Sequence, residues 1–448
     1  MNRTEIRAAI SLASVYVLRM LGLFMVMPVM ALLAQDFKDY SPLLVGLAIG
    51  GYGLTQALLQ IPMGMLSDRI GRKPVILLGL AFFAIGSGIA ASADSLLWVV
   101  IGRMLQGTGA IAGAVMALAG DVSRDSERSK VMAIIGIAIG FSFYVSLLIG
   151  PPLANSYGLE GIFTVTAFLA MAAMPLIWWV VPNATNKAPS GDTLPVLEDI
   201  KRLFFDQNLM RLNMSVCVLH MLITILFMQL PALLSAHDYT MASQWQVYLP
   251  VLLLSIVTMA GLMSMARRGK EKGVLLSAVL LLSIAFLGLG ILSQQFLLVM
   301  LFSIVFFTGF NYLEANFPAM VSGIAPAGKK GSAMGVYASF QFLGAFIGGA
   351  MAGVVTQYAS VEVLFVATAF ICLLWALWLK GLQTHSAAKR FSLPIELASF
   401  DANVLSEQLG ALKGVQDITV ISEERVAYLK VNGNEFDMGK AQQIVSTN

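Results

Sequence analysis

Long apolar runs recur along the whole chain, separated by short polar stretches. About 20 mostly apolar residues make one membrane-spanning helix, and twelve such runs can be read. They lie near 8–34, 43–66, 74–93, 96–120, 130–152 and 161–181, then near 210–235, 245–266, 273–293, 296–320, 331–358 and 361–380. The first run exceeds the roughly 7–15 apolar residues of a signal peptide, so it reads as a membrane span. The two sets of six are parted by the polar stretch 182–207, whose end, 197–210, fits a short interfacial amphipathic helix. The pattern predicts an all-α polytopic membrane protein: one six-helix bundle over 1–181, a central loop over 182–208 and a second bundle over 209–382.

Composition agrees. Only 12% of the residues are charged, about half the share in a soluble domain, and mean hydropathy is +0.81. A net charge of +3 gives no basic surface that argues for nucleic acid. Cys217 and Cys372 each sit in an apolar run, with no CxxC or Cys/His cluster. They read as packing residues, and neither a metal nor a cofactor is expected. The placement of basic residues is more informative. If the N-terminus is cytoplasmic, twenty-one Lys and Arg face inward, from Arg3 and Arg7 to Lys389 and Arg390, and only Lys38 faces out. That asymmetry favours an even number of spans with both termini inside, in a bacterial inner membrane. Two six-span halves also suggest an internal repeat with a site between them, although the halves resemble each other only weakly.

The sharpest local pattern joins spans two and three: Gly64-Met65-Leu66-Ser67-Asp68-Arg69-Ile70-Gly71-Arg72-Lys73. Gly64 lets another helix approach the end of span two. Asp68 places a carboxylate where a neighbouring helix N-terminus can hold it. Gly71 permits a tight turn, and Arg72 and Lys73 anchor the inner face. The stretch matches the major-facilitator signature G-x-L-x-D-R-x-G-R-K at every fixed position. Arg103-Met104-Leu105-Gln106-Gly107-Thr108-Gly109 in span four resembles the family's R-x-x-Q-G-x-G motif, and Gly136, Gly140 and Gly150-Pro151 partly resemble its antiporter motif. The second-half loop, Ala266 to Lys270, lacks the Asp. Phe310 to Ala315, Ala333 to Tyr337 and Gln341 to Gly344 resemble YajR-type members of the family. The likeness covers essentially the whole chain. It implies two bundles, a central cavity, alternating access and proton-linked efflux of a small-molecule substrate, without naming that substrate. It also implies a latch: Asp68 caps the start of span eleven near Gly331, Arg72 pairs with Asp121, and these contacts hold the outward-open state and break when the inner side opens.

Ionisable residues inside spans are costly and are functional candidates by default. Arg19, Arg103, Glu314 and His220 fall in this class, each with a structural alternative as a packing or hydrogen-bonding residue. Some drug/proton antiporters carry an acid in the middle of span one. Here Arg19 stands there, which suggests a cavity that prefers neutral or anionic solutes. Tyr52, Gln56, Gln229, Asn311, Tyr337 and Gln341 are candidate cavity-lining residues, with Phe141 and Tyr144 as added aromatic surface. Gly344, Gly348, Gly349 and Gly353 in span eleven are spaced for close helix packing.

After Leu382 the composition turns polar. A linker over 383–390 precedes a cytoplasmic module over 391–448, read as a strand near 393–397, a helix over 401–412, strands over 415–421 and 426–431 joined by the acidic turn at Ser422 to Arg425, and a helix over 435–445. This β-α-β-β-α order resembles a small ferredoxin-like domain lacking its last strand. So thin a core calls for docking, either on the membrane part or by self-association with a second copy. No nucleotide-binding loop appears, and no nucleophile–base constellation suggests an enzyme. The expected partners are a substrate, protons and the bilayer. The leading reading is a proton-driven exporter; a symporter, a uniporter or a transporter-like sensor that signals through the tail are the alternatives.

Overall fold

The computed structural model describes residues 1–182, 197–382, 389–397, 400–422, 425–432 and 435–446. The rest of the central loop, linker residues 383–388 and the turn acids Glu423 and Glu424 lie outside the described residues.

Span one is the helix Arg3–Met25, and it starts five residues earlier than its apolar run. The reason is a capping box: the Asn2 side chain accepts the Glu5 N–H at 2.8 Å and the Glu5 carboxylate accepts the Asn2 N–H at 2.6 Å, which satisfies amides the helix leaves open. At its other end the apolar run extends to residue 34, but the helix stops at Met25 and resumes only as the short Met30–Leu33. Pro28 lies in that break and cannot donate to a helical ladder. Span two, Pro42–Ile70, is opened by the Ser41 side chain and by a proline in the first turn. It is parted from span three, Arg72–Ala91, by Gly71 alone, at φ 100°. Span four, Leu96–Asp121, is interrupted between Thr108 and Ala112.

Spans five and six form one continuous stretch, Lys130–Val180. Its 51 residues would make roughly 75 Å of straight helix, far more than one bilayer core. Gly158, at φ 63° and ψ −165°, turns the chain between two crossings. The eleven long apolar helices among the described residues therefore make twelve crossings. The second bundle comprises span seven Gln207–Ala236, span eight Trp245–Met265, span nine Glu271–Leu292, span ten Phe296–Ile324, span eleven Lys330–Tyr358 and span twelve Val361–Leu379. The predicted interfacial helix is Leu197–Phe204, and Phe204 packs on Phe340 of span eleven with ring centroids 5.9 Å apart.

The bundles meet at the end far from the tail. One apolar core runs across both there, joining Met25, Val26, Val29 and Met30 of the first half to Leu226, Phe227, Leu230 and Tyr248 of the second. Toward the tail side the first bundle keeps a core of its own, with Leu12, Tyr16, Val75, Ile76 and Leu118. Phe143 bridges the halves, with ring centroids 5.2 Å from Phe24 and 6.0 Å from Phe227. Spans two and eleven touch backbone to backbone along their far halves: a side chain on Gly46 would collide with Gly349, one on Gly53 with Phe342 and one on Gly353 with Pro42. Gly344 and Gly348, on another face of span eleven, receive Cys217 and Met221 of span seven in the same way.

The tail holds β1 (Lys389–Pro394), a helix Ala402–Gly410, β2 (Val415–Ile421), β3 (Val426–Val431) and a helix Met438–Ser446. The sheet order is β1-β3-β2, with β3 antiparallel to both neighbours. The first strand lies about four residues before the predicted 393–397 and takes in the end of the expected linker, because register with Val426–Val431 fixes it there. Its small core gathers Leu393, Ile395, Leu405, Leu409, Leu429, Ala441 and Val445. The outer side of the sheet docks on the loop that leads into span eleven. The Asp417 carboxylate accepts the Ala327 N–H at 2.8 Å, Tyr428 covers Gly328, and Ala327, Val426 and Tyr428 are buried together.

Candidate functional site

Three groups of polar side chains stand out within the apolar scaffold. The first lies on the tail side of the first bundle. Arg72 Nε donates to Asp121 Oδ2 at 3.0 Å and Arg72 Nη1 to Ser67 Oγ at 3.2 Å, while Arg72 Nη2 is 3.3 Å from Asp68. Arg72 and Asp121 are buried and Asp68 is half-exposed. The tight turn at Gly71 places the guanidinium below span four. Lys73 Nζ donates to the Val181 carbonyl at 2.7 Å, which ties the same loop to the end of span six, while Arg69 is exposed. Gly64 lies under span four, where a side chain on Gly113 would meet its Cα at 3.7 Å. All of these contacts fall within one bundle.

A neighbouring clamp was not legible in the sequence. The buried Glu5 carboxylate receives Arg124 Nε at 2.8 Å, its Nη2 at 3.1 Å and its backbone N–H at 3.2 Å. Glu5 holds the Arg124 guanidinium above its usual range. Glu127, bonded to Lys130 and 3.3 Å from the N-terminal ammonium, has its carboxyl held below the usual range, chiefly by Lys130. The partners of the Glu5 pair lie 119 residues apart, and no spacing rule links them.

The second group is buried inside the first bundle. Gly107 and Gly109 let span four break and press against spans two and three. Span one reaches the break from the side: Arg19 Nη2 donates at 2.8 Å to the Gly109 carbonyl, which also accepts the Ile111 N–H, and Tyr16 Oη donates at 3.2 Å to the carbonyl of Ala112, where the helix resumes. Arg19 Nη2 also reaches Tyr52 Oη at 2.9 Å and Gln56 Oε1 at 3.2 Å. Arg103 donates to the Ala48 and Ile49 carbonyls and to Gln106 Oε1, and its guanidinium lies 5.2 Å from the Tyr52 ring centroid. Tyr52 thus stands between two buried guanidiniums, neither of which has a carboxylate partner among the described residues.

The third group lies in the second bundle, where spans seven, ten and eleven converge. Gln341 Nε2 lies 2.8 Å from His220 Nε2 and 3.3 Å from Glu314 Oε1. His220 Nε2 is 3.8 Å from Glu314 Oε2, and its Nδ1 faces the Val216 carbonyl at 3.2 Å. That carbonyl requires a proton on Nδ1, so in a neutral ring Nε2 is the acceptor. Glu314 is about 36% exposed, whereas the nearby Tyr337 hydroxyl is buried without a hydrogen-bond partner. Asn311, one turn from Glu314, donates to Tyr144 Oη of the other bundle at 3.1 Å and to Ser255 Oγ at 3.2 Å. Gln229 is buried farther along span seven and is hydrogen-bonded to none of these residues.

Two helical bundles that close on each other at one end, with buried polar groups in each, have the build of a secondary transporter. The chain belongs to the major facilitator superfamily, whose model matches residues 12–313 and 260–413. It is similar to the inner membrane transport protein YajR of Escherichia coli strain K12, with 37% identity over 447 residues and 98% of both chains covered. An uncharacterized transporter of Buchnera aphidicola subsp. Acyrthosiphon pisum is 33% identical over 78% of this chain and 90% of its own. Solved structures with the same fold include a D-xylose–proton symporter and a bacterial homologue of the human lysosomal transporter Spinster. Each has a TM-score of 0.68 at 13% identity and 85% coverage of this chain, with 98% and 97% of their own chains covered. The relatives are named transporters, which points to transport rather than catalysis.

Proposed function

We propose that this protein is a proton-driven exporter of a small molecule across the bacterial inner membrane, with both termini cytoplasmic, working by alternating access between its two bundles. The observation that carries the proton is the Glu314–His220–Gln341 group. It is the one place among the described residues where a carboxylate and an imidazole approach within 4 Å, and the carboxyl group is partly exposed while its Oε2, the oxygen toward His220, is buried with no hydrogen-bond partner. A proton arriving from the tail side would turn His220 Nε2 into a donor. That sets it against the Gln341 amide and draws it toward Glu314, a local change at the junction of three spans that bias toward one bundle arrangement can follow. Arg72, Asp121 and Lys73 make the contacts described above within the first bundle, and the half-exposed Asp68 beside Arg72 is the member of the latch whose capping of the start of span eleven would have to break for the inner side to open.

The test is proton flux in inside-out vesicles carrying the full chain, with a pH-sensitive dye and a panel of cationic, neutral and anionic compounds. Compound-driven proton release should fall roughly a hundredfold or more in Glu314→Gln, the low end of what a positioned proton-transferring group contributes. Undiminished release in that variant would remove Glu314 from the pathway. The docking of the tail on the loop before span eleven favours a second reading, a sensor that relays ligand binding to the tail; ligand binding without flux in the same vesicles would support it.

A further inference from the structure

We infer that the first bundle binds an organic anion through Arg19, so that the transported substrate carries a carboxylate or a similar acidic group. The inference rests on the transport reading above and gives it a substrate class. Arg19 lies in the middle of span one and is fully buried. A guanidinium stays charged in proteins, and an unpaired charge in a low-dielectric interior is among the costliest arrangements a fold can hold. Its partners are all neutral, and a single nitrogen makes every contact: Nη2 donates to Tyr52, Gln56 and the Gly109 carbonyl. Nε and Nη1 are buried with no hydrogen-bond partner. Each edge of a guanidinium that grips a carboxylate bidentately includes Nη2, so an entering carboxylate takes the free N–H of Nε or Nη1 and displaces one of the neutral acceptors now on Nη2.

Arg103 deepens the deficit. It too is buried among neutral acceptors, and with Tyr52 between them the two cations reinforce each other's field. The surroundings also describe the rest of the ligand. The Phe83 ring centroid lies 5.4 Å from the Arg19 guanidinium. The Tyr52 ring meets Phe83 at 6.4 Å and Phe342 of span eleven at 6.1 Å, so this cluster reaches the boundary where spans two and eleven must separate for access. An acidic head on an aromatic or apolar body fits that lining.

Thermal unfolding of the purified full chain in detergent micelles, at fixed ionic strength, tests this with three probes of one size: benzoate, benzyl alcohol and benzylammonium. Benzoate alone should raise the midpoint, by roughly 3–5 °C at a hundredfold excess over Kd. The rise should vanish in Arg19→Gln and shrink in Arg19→Lys, which keeps the charge but loses the fork; the ligand-free melting of each variant reports whether it is folded. Equal shifts with all three probes, a preference for benzylammonium, or a benzoate shift that survives Arg19→Gln in a folded protein would overturn the inference. Proton release that proceeds with cations only would overturn it while leaving the transport reading standing. Benzoate binding that persists with no proton release would leave the anion site standing and remove the proton-driven reading.

Discussion

Asp39 shows how a single side chain sets a helix end. Its two carboxylate oxygens accept the Leu96 and Leu97 N–H groups at 2.8 and 3.0 Å, so the turn after span one caps the start of span four. The Leu96 hydrogen bond, more than any other cause, holds the carboxyl below its usual range. A carboxylate whose folded pKa is depressed contributes stability above its unfolded pKa, near 3.9, and loses that contribution as pH falls through the folded value. The melting midpoint of the wild type should therefore drop more steeply than that of Asp39→Asn between pH 5 and pH 3; parallel curves would deny the cap a role. Single residues were legible in the sequence where chemistry alone marks them. Arg19, Arg103, Glu314 and His220 stood out because charge is rare in an apolar run. Their partners did not stand out: that Arg19 serves Gly109, or that Glu5 meets Arg124, follows from how helices stack, and Arg72 with Asp121 was foreseen only through the family likeness.

Among the elements, span eleven has two glycine faces, one for span seven and one for span two. Packing of the second kind lets the halves touch without interlocking side chains, which suits a contact that has to open and close. Gly349→Leu should force these backbones apart, at an overpacking cost of about 1–3 kcal/mol, and should lower compound-driven proton release at least severalfold in protein that still purifies as a single species. Gly88→Ala is the control, since nothing lies near that position, and its flux should stay within about twofold. A Gly349→Leu protein with normal flux would show the contact to be incidental. The elements themselves were largely readable from apolar length, because a bilayer admits little else. Edges were not. The Asn2–Glu5 box extends span one past its apolar run, Pro28 cuts it short, and Gly158 turns spans five and six within one residue.

For the whole molecule, the tail is fixed by residues far from the linker that attaches it. Asp417 and Tyr428 hold the loop at Ala327 and Gly328, although the chain enters the tail only after span twelve. The double substitution Asp417→Ala with Tyr428→Ala in the full chain should speed amide hydrogen exchange at 325–329 by roughly tenfold or more, in keeping with loss of one hydrogen bond and its cover. Unchanged exchange there would mean the loop orders itself. The sequence foretold a β-α-β-β-α module and its need for a support, and it could not say which surface supplies it, because Asp417 and Ala327 lie 90 residues apart.

Because β2 and β3 are pinned to the loop that begins span eleven, the sheet must turn whenever that helix tilts. The protein thereby carries a pointer in water for an event inside the lipid. A donor dye on the exposed face of the tail and an acceptor on the helix Leu197–Phe204 would follow each swing of the bundles optically, in real time, with no probe placed in the membrane and none of the transport residues altered.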